Sequence, residues 1–599
     1  MTQPNAIRTV GTPVRSVNWV HLFPTMDRDG RDCLVAVMGQ QADNFTVVKI
    51  DPSSGATVQT TAQRPDSNYP TAAILSRTGV IYIGVAHSGC LFRYDPKTET
   101  LDDLGAINPP DDIFVCRIDE APDGTLWIGC YGTAGLTSYE PGTKRFTRHG
   151  RMDEVDMYCY PLVAPDGTIA CDVRVTRPHI VVFDPKTDEK RAVSPIIAKG
   201  EGGRCNLMRA QDGNLYFDCS TGVFRLNGFE TVPVAALPAA ESAPVLSDGS
   251  TAIFSDAASQ IYRNITLTNP QGLSRELAIT YEAAGSALFL IHGGPDGHVY
   301  GSSILPLHLF RCNTETQELE DLGACSTAGG EAYSMGNLDG KLYICSYPAA
   351  RLSVYDPALP YHFGTEPGSN PRDIGRMDEI SYRPRSMVTG PLGRVWIASV
   401  PDYGLWGGPL SWYDPASGTF GSYRDIAGEA SCWVLSWLER QALLVVGTTI
   451  QGGTGTQPRA SQATLFLWDY AGERKVWEGT PDRPVTAFNA FAVGADGRLF
   501  ATVWGGELPP ELVVFDPNTR VFVHRLTLPA GRPLDLSLQF GPDGNLYGFT
   551  NCCLYRVDPT DLTITPLVEE KDAFQTPGPI IGDSVYFSKV QTLKAVKLW

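Results

Sequence analysis

At 599 residues the chain exceeds one ordinary domain, and 43% hydrophobic against 19% charged residues is the balance of a folded globular protein. A formal net charge of −18 repels a phosphate backbone, which argues against nucleic acid as a partner. No apolar run approaches the roughly 18 residues that span a bilayer. The first residues, MTQPNAIRTVGTPVRS, lack a signal-peptide core, so a cytoplasmic protein without a membrane partner is expected, or a secreted one whose leader is missing.

Sixty glycines and 45 prolines imply many tight turns and hence many short strands. From the N-terminus onward one unit recurs. An apolar strand leads to an Asp-Gly turn, a second strand follows, then a variable loop, a third strand ending in Asp-Pro, and a short fourth strand. The clearest copy, TGVIYIGVAHSGCLFRYDPKTETLDDLG, is followed by PDGTLWIGCYGTAGLTSYEPGTKRF and PDGTIACDVRVTRPHIVVFDPKTDEK. Later come LDGKLYICSYPAARLSVYDP, LGRVWIASVPDYGLWGGPLSWYDPASGTF, ADGRLFATVWGGELPPELVVFDPNTR and PDGNLYGFTNCCLYRVDP. The Asp-Pro position or its equivalent falls at Asp51, Asp95, Glu140, Asp184, Asp356, Asp414, Asp516 and Asp558. Weaker copies near Asp212, Asp248, Asp296 and Asp469 bring the number to twelve, and a last strand pair follows.

Alternation over about five residues bounded by Gly, Pro and Asp predicts strands. A four-stranded sheet of this size buries both faces only against its neighbours, the β-propeller solution. Twelve or thirteen units exceed one ring of four to eight. The expected fold is therefore all-β, two tandem β-propellers of about six or seven four-stranded blades each, covering 1–270 and 271–599. The crossover is expected at ITLTNPQGLSRELAITYEAAGS, and rings interleaved at the termini would give the same pattern. GRMDEVDMYCYP from Gly150 and GRMDEISYRPRS from Gly375 suggest a duplication. Of the 14 cysteines, Cys130, Cys171, Cys219 and Cys345 end second strands and Cys116, Cys159, Cys205 and Cys432 lie in first strands, so buried free thiols are expected.

These repeats resemble the quinoprotein-like and gluconolactonase-like propellers, the virginiamycin B lyase type included. They also resemble propeller-fold polysaccharide lyases acting on uronic-acid polymers. The likeness lies in scaffold residues, and no catalytic motif of those families is matched. The lyase resemblance implies a carbohydrate-active enzyme.

The loops opposite the Asp-Gly and Asp-Pro turns vary most, and varied loops on a repeated scaffold are where sites are built. In the second half they offer His308, Tyr347, Arg383 and Tyr403 as catalytic candidates, with Tyr333, Arg385, Trp406, Gln451 and Trp504 for substrate. In the first half His87, Tyr131, Arg174 and Arg204 are the binding candidates. Aromatic faces stack on pyranose rings and arginine forks bind carboxylates. An anionic oligosaccharide is therefore the expected ligand, and β-elimination at a uronic acid is the reaction that the lyase resemblance implies. A phenol beside Arg383 would move the proton if that charge lowered its pKa. The competing readings are a non-catalytic interaction propeller and a lactonase-like hydrolase using a divalent metal such as calcium. For His308 a packed histidine is the competing reading. Asp27, Asp29 and Asp32 lack the closing glutamate of a calcium loop and predict a charged hairpin turn; no metal ligands are assigned.

Overall fold

The computed structural model describes residues 5–505 and 509–599. The chain is all-β; among the described residues the only helical segments are four single 3₁₀ turns. Its strands form thirteen consecutive antiparallel modules, twelve of four strands and one of three. Single residue pairs, Tyr131 with Tyr158 and Thr449 with Ala487, join two neighbouring pairs of modules into eight-stranded sheets. Modules 1 to 6 span 18–61, 69–106, 114–151, 158–192, 205–234 and 251–278. Modules 7 to 12 span 288–324, 331–376, 381–423, 431–479, 487–527 and 539–569, and module 13 combines 576–597 with Ile7–Gly11. Chain contacts divide these into two compact units, one of Ser16–Ala284 and the other of Met1–Arg15 with Gly285–Trp599. The stretch expected as a crossover forms two strands of module 6, Asn264–Thr268 and Ser274–Ala278.

The turns follow from the repeat chemistry. Gly124 of one Asp-Gly turn has φ +88°, a conformation that favours glycine, and Asp123 accepts a hydrogen bond from the Thr125 amide at 2.9 Å. At the Asp-Pro turns Asp95, Asp184 and Asp516 each accept the amide two residues on, at 2.9–3.0 Å. The MDRDGRD segment is such a turn, with Asp27 accepting from the Asp29 and Arg31 amides.

Outside module 6 the second strands are largely buried on both faces, and alternate residues serve opposite neighbours. In the strand Asp32–Gly39, Leu34, Ala36 and Met38 pack towards module 6, whereas Val35 and Val37 pack towards module 2. In the unit of seven modules a core cluster joins each module to the next, and another joins module 13 to module 7, so the series closes. Its closing strand, Ile7–Gly11, pairs antiparallel with Thr592–Lys597. In the unit of six, clusters join modules 1 to 5 in turn and module 6 to module 1. No such cluster joins modules 5 and 6 among the described residues, and module 6 lacks a first strand. All 14 cysteines are free, and twelve of them are buried.

Candidate functional site

The first strands of modules 7 to 12 run against one another in turn, and that of module 13 runs against module 7. Side chains at their ends therefore converge although they are far apart in sequence. Glu331 and Tyr333 lie on Glu331–Leu338, and Tyr347 ends the neighbouring strand opposite Glu331. Tyr382, Arg383 and Arg385 lie on Ser381–Thr389, where the pairing register shifts on both sides of Arg383. Pro384 supplies the physical reason, since it has no N–H for the ladder; such bulges redirect neighbouring side chains.

Tyr403 arrives on the glycine-rich loop after Val395–Pro401. That loop is bonded to the second glycine-rich loop, with the Gly404 amide on the Thr454 carbonyl at 2.9 Å and the Gly453 amide on the Leu405 carbonyl at 2.8 Å. A Cβ at Gly453 would fall 2.0 Å from the Asp402 carbonyl oxygen, so only glycine permits this approach.

The result is a network of guanidinium and phenol groups. The Tyr347 and Tyr403 hydroxyls share a hydrogen bond at 2.6 Å. Arg383 donates through Nη2 to Tyr403 at 3.1 Å and through Nη1 to the Thr454 hydroxyl at 3.0 Å. Its guanidinium carbon stands 4.7 Å from the centre of the Tyr347 ring. Rings continue from Tyr403 through Tyr382 and Tyr347 to Tyr333, with centroid separations of 5.0, 5.3 and 6.1 Å. Arg385 is ion-paired with Asp535, which also accepts from Asn489 at 2.8 Å, and it stacks 3.9 Å over Trp433.

Glu331 is 7% exposed, and burial pushes its carboxyl up to about 7, against the opposing pull of the Tyr333 hydroxyl and the charges of Arg383 and Arg385. Burial also drives the Tyr347 phenol upwards, and its bonded neighbour Tyr403 adds to this, outweighing Arg383. The expectation that Arg383 would lower a phenol beside it therefore fails at Tyr347. The group that titrates near neutrality is Glu331.

The remaining candidates sit elsewhere. His308 is buried on a third strand with Nδ1 3.0 Å from Asp321, away from the first-strand ends that build the cluster. Trp406 donates to the Gln457 carbonyl at 2.9 Å and lies under Arg459, while Gln451 and Trp504 are exposed. In the unit of six modules, His87 lies 2.9 Å from Asn68 and Arg204 pairs with Asp218 at 2.7 Å. There Tyr131 packs on Tyr158 at 4.4 Å and Arg174 is paired with Asp172. Glu331, Tyr382, Trp433 and Asp535 escaped the reading of the sequence. The one local signal for Glu331 is a lone carboxylate opening an apolar strand, EAYSMG. Among the described residues no group of three or more His, Cys, Asp or Glu is placed to hold a metal ion. No helix there is long and apolar enough to cross a membrane.

No family model matches the chain, and no curated protein matches it. Two solved structures of the extracellular domain of BT4673 from B. thetaiotaomicron are similar to it. One is 11% identical, covers 100% of this chain and 84% of its own, and has a TM-score of 0.36. The other is 12% identical, covers 100% and 83%, and has a TM-score of 0.30.

Proposed function

We propose that the two units are β-propellers of seven and six blades, and that the seven-bladed one is a lyase cleaving a uronic-acid-containing oligosaccharide by β-elimination. The observation that carries this reading is Arg383 bonded to one member of a phenol pair, beside a carboxyl that titrates near neutrality. Elimination at a uronide needs a cation for the carboxylate, a base for the α-proton and an acid for the leaving oxygen.

Arg383 supplies the cation and neutralises the sugar carboxylate, which acidifies the C5–H bond. The Glu331 carboxylate takes the C5 proton, the C4–O4 bond breaks, and its electron pair leaves on O4 as the C4–C5 double bond forms. A phenol of the Tyr347–Tyr403 pair returns a proton to O4. Tyr347 suits the acid role because its raised pKa keeps it protonated. Tyr382 and Tyr333 offer ring faces on which a pyranose can stack.

The test is a panel of uronic-acid polymers followed by the ultraviolet absorbance of the unsaturated product. Activity is expected on at least one polymer, and Arg383→Ala, Glu331→Gln and Tyr403→Phe should each lower it by about 100-fold or more. Absence of product from every uronide, or full activity in Glu331→Gln, would overturn the proposal.

A further inference from the structure

We infer that the centre of the six-module unit is a second binding site, for the carboxylate of an acidic sugar, built from Arg117, Arg174 and Tyr160. It requires no catalysis and does not rest on the lyase reading.

Arg117 lies on the first strand of module 3, where the pairing register shifts around Cys116. Tyr160 lies on the first strand of module 4, and Arg174 ends the strand beside it. Both guanidinium carbons sit by one ring, that of Arg174 5.0 Å and that of Arg117 5.9 Å from the Tyr160 centroid. The charges there do not balance. Asp172 is committed to Arg174, and Asp119 is committed to Arg209 and to the Val163 amide. No described hydrogen bond or ion pair engages the Arg117 side chain. Burial, with the charge of Arg174 added, pulls its pKa down although Asp172 and Asp119 act on it through space. A half-buried guanidinium facing carboxylates already paired is short of one anion, and a bidentate carboxylate supplies it.

A second observation points to a sugar. Rings lead away from Tyr160 in a continuous row: Tyr158 at 6.1 Å and nearly parallel, Tyr131 at 4.4 Å from Tyr158, then Phe114 at 5.9 Å. Trp19, 37% exposed, stands 6.2 Å from Phe114 at the end of the row. Aromatic faces beside an arginine fork are the combination that holds a pyranose ring and its carboxylate together.

The experiment is calorimetric titration of the full chain carrying Arg383→Ala, so that the seven-module site is silenced and the outcome is independent of any lyase activity. The probes are glucuronate, a glucuronate-containing oligosaccharide, glucose 6-sulfate, glucose and inorganic sulfate. Glucuronate should bind at one site per chain, and Arg117→Gln should weaken it about tenfold or more, with partial rescue by Arg117→Lys. Should Arg117→Gln fail to fold, Trp19→Ala at the exposed end carries the test, weakening the oligosaccharide several-fold while sparing the monosaccharide. Glucose should not bind. Equal affinity for glucuronate and inorganic sulfate would overturn the sugar assignment, and tighter binding of glucose 6-sulfate would overturn the carboxylate. An isotherm unchanged by Arg117→Gln, or no binding of any probe, would overturn the site.

Discussion

In the seven-module unit every module has a neighbour on both sides, whereas the six-module unit has five shared clusters and one seam without one. Around that seam Val232, Val245, Ile253 and Ile261 are exposed, Ile253 by 62%. The linking segment reaches only as far as a backbone bridge between Ala210 and Ala240. The same repeat thus gives a closed series where a strand from the other end of the chain is donated, and an open one where module 6 begins at its second strand. Closure is a property of the last module, not of the repeat. It decides how much apolar surface each module can remove from water.

The largest effect should come from removing the donated strand. Val10 packs into the cluster with module 7 and Ile7 into the cluster with module 12, so one short strand secures two interfaces. Deleting the chain up to Gly11 should cost the seven-module unit about 3 kcal/mol or more, from two aliphatic contacts and a strand ladder. Calorimetry of the full chain should then show one transition lowered and the other unmoved. If neither moves, the strand does not close the series.

A smaller, pH-dependent difference should come from Glu331. Its folded pKa of about 7 lies above the value of 4.5 for a free glutamate. Its contribution is therefore fully present below about pH 4.5 and is lost as pH rises through about 7. Glu331→Gln should accordingly stabilise the seven-module unit at pH 8 by up to about 3 kcal/mol relative to the parent, with little difference at pH 4. The seam should respond least: Ile253→Ser should change stability by less than about 0.5 kcal/mol, because that side chain is already in water. A loss of 2 kcal/mol or more in urea unfolding would mean that the seam is covered in solution.

Much of this arrangement was legible in the sequence because it is local. Asp-Gly and Asp-Pro turns set the strands, and the repeat brought Tyr347, Arg383 and Tyr403 together from positions more than 50 residues apart at the extremes. What was hidden is non-local. The strand IRTVG carries no repeat signature, since its three partner strands lie at the opposite end of the chain. The raised carboxyl of Glu331 comes from its burial in the folded chain, which outweighs two arginines of the next module, and His308 meets Asp321 only because their two strands adjoin. Hydrophobic pattern reports which face is buried, not which charge waits there.

The pairing of Ile7–Gly11 with Thr592–Lys597 also sets an order of events during synthesis. Of the strands described, the earliest made belongs to the last sheet to be completed. Between them the six-module unit can fold on its own schedule, for Val17 near its start and Ala283 near its end belong to one core cluster. Once folded, it shortens a 269-residue insertion (Ser16–Ala284) to a connection between neighbouring points, so the waiting strand stays close to Gly285 as synthesis continues. At usual elongation rates the stretch from Gly285 to the partner strand alone takes roughly 15 to 60 seconds. During that interval the seven-module unit is an open stack with an unpaired edge, the period in which a nascent chain is most exposed to wrong partners.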